Sequence, residues 1–100
     1  MSLVSKKLRN SARGQDCQVR IPGICNFNPE TTILAHVGKS GIGQKPNDYE
    51  ATFCCSSCHD AIDYRVKTDF TRDELENMAN DGMRRTWAIW VQSGLIKVAA

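Results

Sequence analysis

Apolar residues along this chain fall into two rhythms. Towards the C-terminus, Leu75, Met78, Ala79, Met83, Trp87, Trp90 and Val91 recur at steps of three and four. That spacing is one stripe of an amphipathic helix. Thr71-Arg72-Asp73-Glu74 ahead of it is a capping box, in which the threonine hydroxyl serves the third amide and Glu74 reaches back. Gly94 supplies the stop, so the pattern predicts a helix to about Ser93. Two tryptophans in such a stripe read as core or interface before they read as base-stacking surfaces. Upstream the rhythm shortens. Thr31 to Val37 is rich in branched residues and Tyr49 to Cys54 resumes the same character, which predicts two strands. A helix from about Ser56 to Val66 follows. Between the strands, Gly38 to Asp48 carries three glycines and a proline and reads as a loop. Its lone Gly-x-Gly matches no phosphate-binding fingerprint. Residues 16–28 also alternate, broken by the turn signal Pro22-Gly23, which lets Cys17 and Cys25 approach each other. Asn28-Pro29-Glu30 is a second turn. Residues 1–14 are polar and basic and end at Gly14, as a short helix or partly ordered arm. The expectation is an α+β fold in one domain, residues 1–100: an arm (1–14), a small ββα module (15–66) and a long packing helix (71–94).

Composition narrows the class. One hundred residues, 41% of them hydrophobic, allow only a modest core, and small domains often need a staple such as a metal. No run approaches the roughly 20 apolar residues that span a bilayer. The N-terminus has no apolar signal core, so a cytoplasmic, reducing environment is expected. Net charge is only +2, from 13 basic and 11 acidic residues, so bulk charge does not argue for nucleic acid. Distribution is more telling. Lys6, Lys7, Arg9 and Arg13 cluster without an acidic residue among them, and Lys39 and Lys45 punctuate the loop. These six are the expected phosphate contacts, against the plainer reading of a solvated basic terminus.

The chemistry centres on Phe53-Cys54-Cys55-Ser56-Ser57-Cys58-His59. A Cys-x2-Cys pair at a strand-to-helix junction places two thiolates about one turn apart, within reach of a tetrahedral zinc. Cys17 and Cys25 could complete the set; alone, both would read as small buried hydrophobes. Five cysteines cannot all pair as disulfides. Neighbouring strand residues point to opposite faces, so Cys55 at the right spacing from Cys58 is the expected ligand and Cys54 a core residue. Four thiolates leave no open position, so this zinc would be structural. It would pin the hairpin to the helix and set the distance between His36 and His59. His36, near the end of its strand, is the candidate general base: a neutral imidazole can take a proton from attacking water. Phosphodiester cleavage also calls for a divalent cation, and His59 and Asp63, four apart on a helix, share a face that could bind one.

The pattern of a strand histidine, a loop and then F-C-C-S-S-C-H resembles the HNH, or ββα-metal, endonucleases. R-G-Q-D-C-Q-V-R-I-P-G-I-C-N, N-P-E-T-T-I-L-A-H and C-S-S-C-H-D-A-I-D look more closely like the small prophage-encoded nucleases of the YbcO family, over about residues 8–65. That resemblance implies a zinc on Cys17, Cys25, Cys55 and Cys58, a general base at His36 and DNA as substrate. Two positions depart from the wider HNH pattern. Ala35 stands where those enzymes usually carry an aspartate or histidine metal ligand. For the middle asparagine that commonly orients the histidine, Asn47 or Asp48 is nearest. A magnesium or manganese site would then draw on His59, Asp63 or Asp48. Three functions follow: a metal-dependent DNA endonuclease, pairing into homodimers if it cuts both strands of a duplex; a non-catalytic zinc module that binds DNA or a phage protein, which Ala35 favours; and a redox thiol protein, which the second cysteine pair and the missing βαβ pattern argue against.

Overall fold

A computed structural model describes residues 5–37 and 47–97. Lys39 and Lys45, expected on the loop, lie outside the described residues. Helix α1 spans Lys6–Ser11, strands β1 and β2 span Ile33–His36 and Ala51–Cys54, and helices α2 and α3 span Ser56–Ile62 and Arg72–Ser93. The strands form one antiparallel pair, in the register Ile33 opposite Cys54 through His36 opposite Ala51. The result is a small α+β fold with a long C-terminal helix. None of the described helices is long and apolar enough to cross a membrane.

Local chemistry places each boundary. The expected capping box is present: Thr71 Oγ1 accepts from the Glu74 amide at 3.1 Å and the Glu74 carboxylate accepts from the Thr71 amide at 2.8 Å. Gly94 closes α3 in the left-handed conformation, φ +78°. The strands are shorter than the branched residues suggested. Pro29–Thr31 forms a single 3₁₀ turn, with Asn28 capping it through the Glu30 amide, so pairing begins only at Ile33. Asn47 to Glu50 is a turn closed by the Glu50 amide on the Asn47 carbonyl. Helix α2 stops at Ile62, short of Val66.

Residues 16–28 form no strand despite their alternation. Arg20 sits at φ +53°, which breaks any extended ladder, and the Cys25 amide folds back onto the Ile21 carbonyl at 2.9 Å. The N-terminal segment takes the first of the two forms expected, a short helix. Ser5 caps α1, and the buried Leu8 and Ala12 join Phe53 and Trp90 in a compact cluster. Trp90 Nε1 donates to Ser11 Oγ at 2.8 Å, and the Phe53 and Trp90 rings meet edge to face, 5.8 Å apart. Such a ring pair adds roughly 0.5–1.5 kcal/mol beyond burial.

A two-stranded sheet leaves an edge that needs cover. The free edge of β2 is covered by side and main chain together. The Phe53 amide donates to Thr86 Oγ1 at 3.0 Å, and its carbonyl accepts from the Gln18 amide at 2.8 Å. Thr86 in turn donates to the Gly82 carbonyl at 2.8 Å. Helix α3 reaches this edge because Gly82 has no side chain; a Cβ there would lie 2.7 Å from Thr52 Oγ1.

Candidate metal centre and active-site groove

A second buried cluster gathers around the cysteines. The Sγ atoms of Cys17, Cys25, Cys55 and Cys58 all lie within 4.8 Å of one another, and all four residues are buried. Among the described residues this is the one group of three or more such ligand side chains that converges. Tetrahedral bonds of about 2.3 Å would put sulfurs about 3.8 Å apart, and Cys55 and Cys25 stand at 3.8 Å. The donor set therefore fits a zinc-like ion. Each ligand has a local reason for its place. Cys55 is the N-cap of α2, its sulfur accepting from the Cys58 amide at 3.3 Å, which lets the Cys-x2-Cys pair share one turn. The fold-back at Ile21 delivers Cys25, and Asn26 Nδ2 ties that loop to Ser56 and Ser57 at the start of α2.

The thiols share charge unevenly. Hydrogen bonds from Cys54 and then Cys58 hold the Cys17 thiol far below its usual range. Hydrogen bonding to Cys17 and burial push Cys54 and Cys58 well up, and burial raises Cys25 to about 11. Thiolates are the ligating form, so a divalent cation binding here would release the protons these sulfurs carry. Cys54 is fully buried in the same cluster, but its sulfur stands outside the convergent four and lies 3.5 Å from the Cys55 carbonyl. It sits beside the centre, as the spacing argument expected, although strand alternation does not carry it to an opposite face.

The second constellation lies at the other end of the hairpin. His36 Nε2 meets Asp48 Oδ1 at 2.8 Å. Asp48 is 1% exposed and also accepts from the Ser5 amide at 2.6 Å and from Arg9 Nε at 3.0 Å. Burial would raise the Asp48 carboxyl, but the Ser5 amide, His36 and Arg9 outweigh it and hold the group below its ordinary 3.8. An ionised Asp48 requires the proton on Nε2 of His36, leaving Nδ1 as the free acceptor. Asp48 is thus the side chain that holds the His36 imidazole in this orientation.

The expected cation ligands do not assemble as a trio. His59 Nε2 meets Asp63 Oδ2 at 2.9 Å, as the four-residue spacing predicted, and Arg65 also reaches Asp63 at 3.4 Å. Asp48 joins His36 and α1 instead. Of the basic cluster, Lys6, Lys7 and Arg13 are exposed, whereas Arg9 is committed to Asp48. His36 and Asp63 nevertheless meet across one groove of about 530 Å³, whose wall includes Tyr64, Glu76 and Asn80. Those three escaped the sequence reading. Glu76 and Asn80 flank the apolar stripe one position after Leu75 and Ala79, a spacing that also describes any solvated helix face. Tyr64 carried no signal either, because the pattern ran the helix on to Val66 and its left-handed backbone is visible only in the structure.

Comparison with known proteins matches the model of one family, described as "Putative nuclease YbcO", over residues 6–95. The chain belongs to the YbcO family. It is 52% identical over 94 residues to "Putative nuclease YbcO" of Escherichia coli strain K12, covering 90% of this chain and 96% of that relative. "Putative nuclease ybcO" of Enterobacteria phage 82 matches to the same extent. Among solved structures, a "putative bacteriophage protein" from Escherichia coli K-12 substrain MG1655 superposes with a TM-score of 0.76 at 48% identity. That match covers 88% of this chain and all of that one (100%). The YbcO match begins at α1 and ends just past α3, so it takes in both the cysteine centre and the groove.

Proposed function

We propose that this YbcO-family protein is a metal-dependent endonuclease that hydrolyses phosphodiester bonds in DNA, with His36 as general base. The observation that carries the reading is the His36–Asp48 pair at the edge of an open groove. The carboxylate fixes the imidazole tautomer, and the side chain, 32% exposed, can take a proton at Nδ1 from a water aimed at phosphorus. The order β1, β2, α2 with the histidine on β1 is that of an HNH-like ββα module. Zinc on Cys17, Cys25, Cys55 and Cys58 is structural in this reading and anchors the start of α2. A magnesium or manganese ion would be held by His59 and Asp63, with water and phosphate oxygens completing its shell, as is usual for magnesium. When bound, such an ion stabilises charge on the phosphate and the leaving oxygen. Lys6 and Lys7 on exposed positions of α1 and Arg13 just beyond it, together with Lys39 and Lys45, offer the phosphate contacts. Two chains would have to pair to cut both strands in one encounter.

The names carried by the relatives agree with nuclease activity. Plasmid nicking in magnesium or manganese tests it directly. Nicking should vanish in His36→Ala while helicity and zinc content persist; unchanged nicking in that variant would remove His36 from the mechanism. A non-catalytic DNA-binding module is favoured by one specific observation, that Asp63 is already paired with His59 and Arg65 and Ala35 adds no further ligand. That alternative predicts a mobility shift of DNA with no cleavage in any divalent metal.

A further inference from the structure

Helix α2 ends in a way that carries a cost. The Tyr64 amide bonds the Ala61 carbonyl at 3.1 Å and the Arg65 amide bonds Asp60 at 2.9 Å, a Schellman closure whose left-handed position is normally glycine. Here that position is a tyrosine at φ +60°, a backbone that a side chain makes unfavourable. The ring gains little burial in return: it is 47% exposed. The Arg72 guanidinium lies over it, 4.9 Å from the centroid, and the side chain borders the groove that holds His36 and Asp63. Strain held at the rim of a groove is a mark of function. A large exposed aromatic fixed by the backbone, with a cation beside it, is the chemistry that receives a nucleobase.

The geometry points to Tyr64 as a stacking platform for an unpaired nucleobase next to the phosphodiester in the groove. The inference rests on the nuclease reading for the phosphate's position, and it deepens that reading by naming the substrate class as DNA with single-stranded or frayed character. Bases inside an intact duplex already stack on each other and do not present a free face.

Binding tests this apart from cleavage, in full-length protein carrying His36→Ala. Tyr64→Gly relieves the left-handed strain, so it should fold with an unchanged or raised Tm and full zinc content. It should bind a single-stranded oligonucleotide about tenfold more weakly, the order expected for one stacked base, and Tyr64→Trp should restore affinity. An abasic oligomer of equal length, which keeps the phosphates and lacks the rings, should bind all three proteins alike. Undiminished affinity in Tyr64→Gly overturns the proposal, as does a loss that persists on the abasic oligomer. Neither result depends on whether the protein with His36 intact nicks plasmid, so failure of the nuclease reading would be seen separately.

Discussion

Replacing Asp48 by asparagine removes one charge and keeps the shape, so it isolates what the carboxylate does for His36. The native side chain is 1% exposed and accepts from three groups: the Ser5 amide at 2.6 Å, Arg9 Nε at 3.0 Å and His36 Nε2 at 2.8 Å. Hydrogen bonds involving a charged partner contribute roughly 1.5–3 kcal/mol each. Arg9 is 52% exposed, so its share is screened to about 1 kcal/mol or less. An amide can still serve part of the set, and a net loss of about 2 kcal/mol remains, roughly 10 °C in Tm for a domain this size. Nicking should fall further than stability. Losing a correctly held general base costs roughly 10²–10⁴-fold in rate. The sign with pH is fixed by the depressed carboxyl. Asp48 titrates below 3.8 in the folded protein, so its stabilisation is complete above the unfolded value and is lost as pH falls through the folded one. Thermal melts of both proteins from pH 7 to pH 3 should show the gap closing only below about pH 4. Equal nicking rates, or a gap that stays constant down to pH 3, would refute the role assigned to the carboxylate.

Gly82→Ala should destabilise by about 1–2 kcal/mol although alanine is the better helix former by about 1. The new Cβ would lie 2.7 Å from the buried Thr52 Oγ1 and 3.1 Å from the Val19 amide, and a raised Tm would show that α3 can move away. Native mass spectrometry should count one zinc per chain, lost in Cys58→Ser and retained in Cys54→Ala. Equal loss in both would place Cys54 among the ligands. Affinity for that zinc should fall as pH drops, because protons compete for sulfurs such as Cys25, already raised to about 11; a flat pH profile would argue against thiolate ligation.

What the sequence made legible depended on how local each signal was. The capping box at Thr71, the stop at Gly94 and the Cys-x2-Cys pair are each decided within a few residues, and each lies where its pattern placed it. The cysteine quartet needed one long-range inference, and the redundancy of four thiols supplied it. The pairing of Asp48 with His36 and Arg9 had no such support. Asp48 lies 12 residues from His36 and 39 from Arg9, with glycine-rich chain between Val37 and Asn47, so no periodicity links them. The alternation in residues 16–28 has an origin other than a strand. Cys17, Val19 and Ile21 are all buried, which is the signature of a strand, but they face the cysteine cluster from an irregular chain. Burial alone set that rhythm; the Gln18 amide on Phe53 is the backbone bond that joins the stretch to β2.

Helix α2 links the cysteine centre to the groove in this short chain. The helix has seven residues, of which only Cys58 and Ala61 are buried, and an isolated helix of that length is marginal in water. Apolar packing of an alanine and a thiol cannot hold its axis against the hairpin. The sulfur centre grips the first turn, where Cys55 caps the helix and Cys58 follows. The last turn, roughly 10 Å away along the axis at 1.5 Å per residue, delivers Asp63 and Tyr64 to the groove where β1 delivers His36. A short rigid lever clamped at one end places its other end well. The strain at Tyr64 persists because the clamp and the closure on Asp60 leave the backbone no cheaper course. Tyr64 is the left-handed non-glycine residue of the three (Arg20 and Phe27 being the others) that borders the groove.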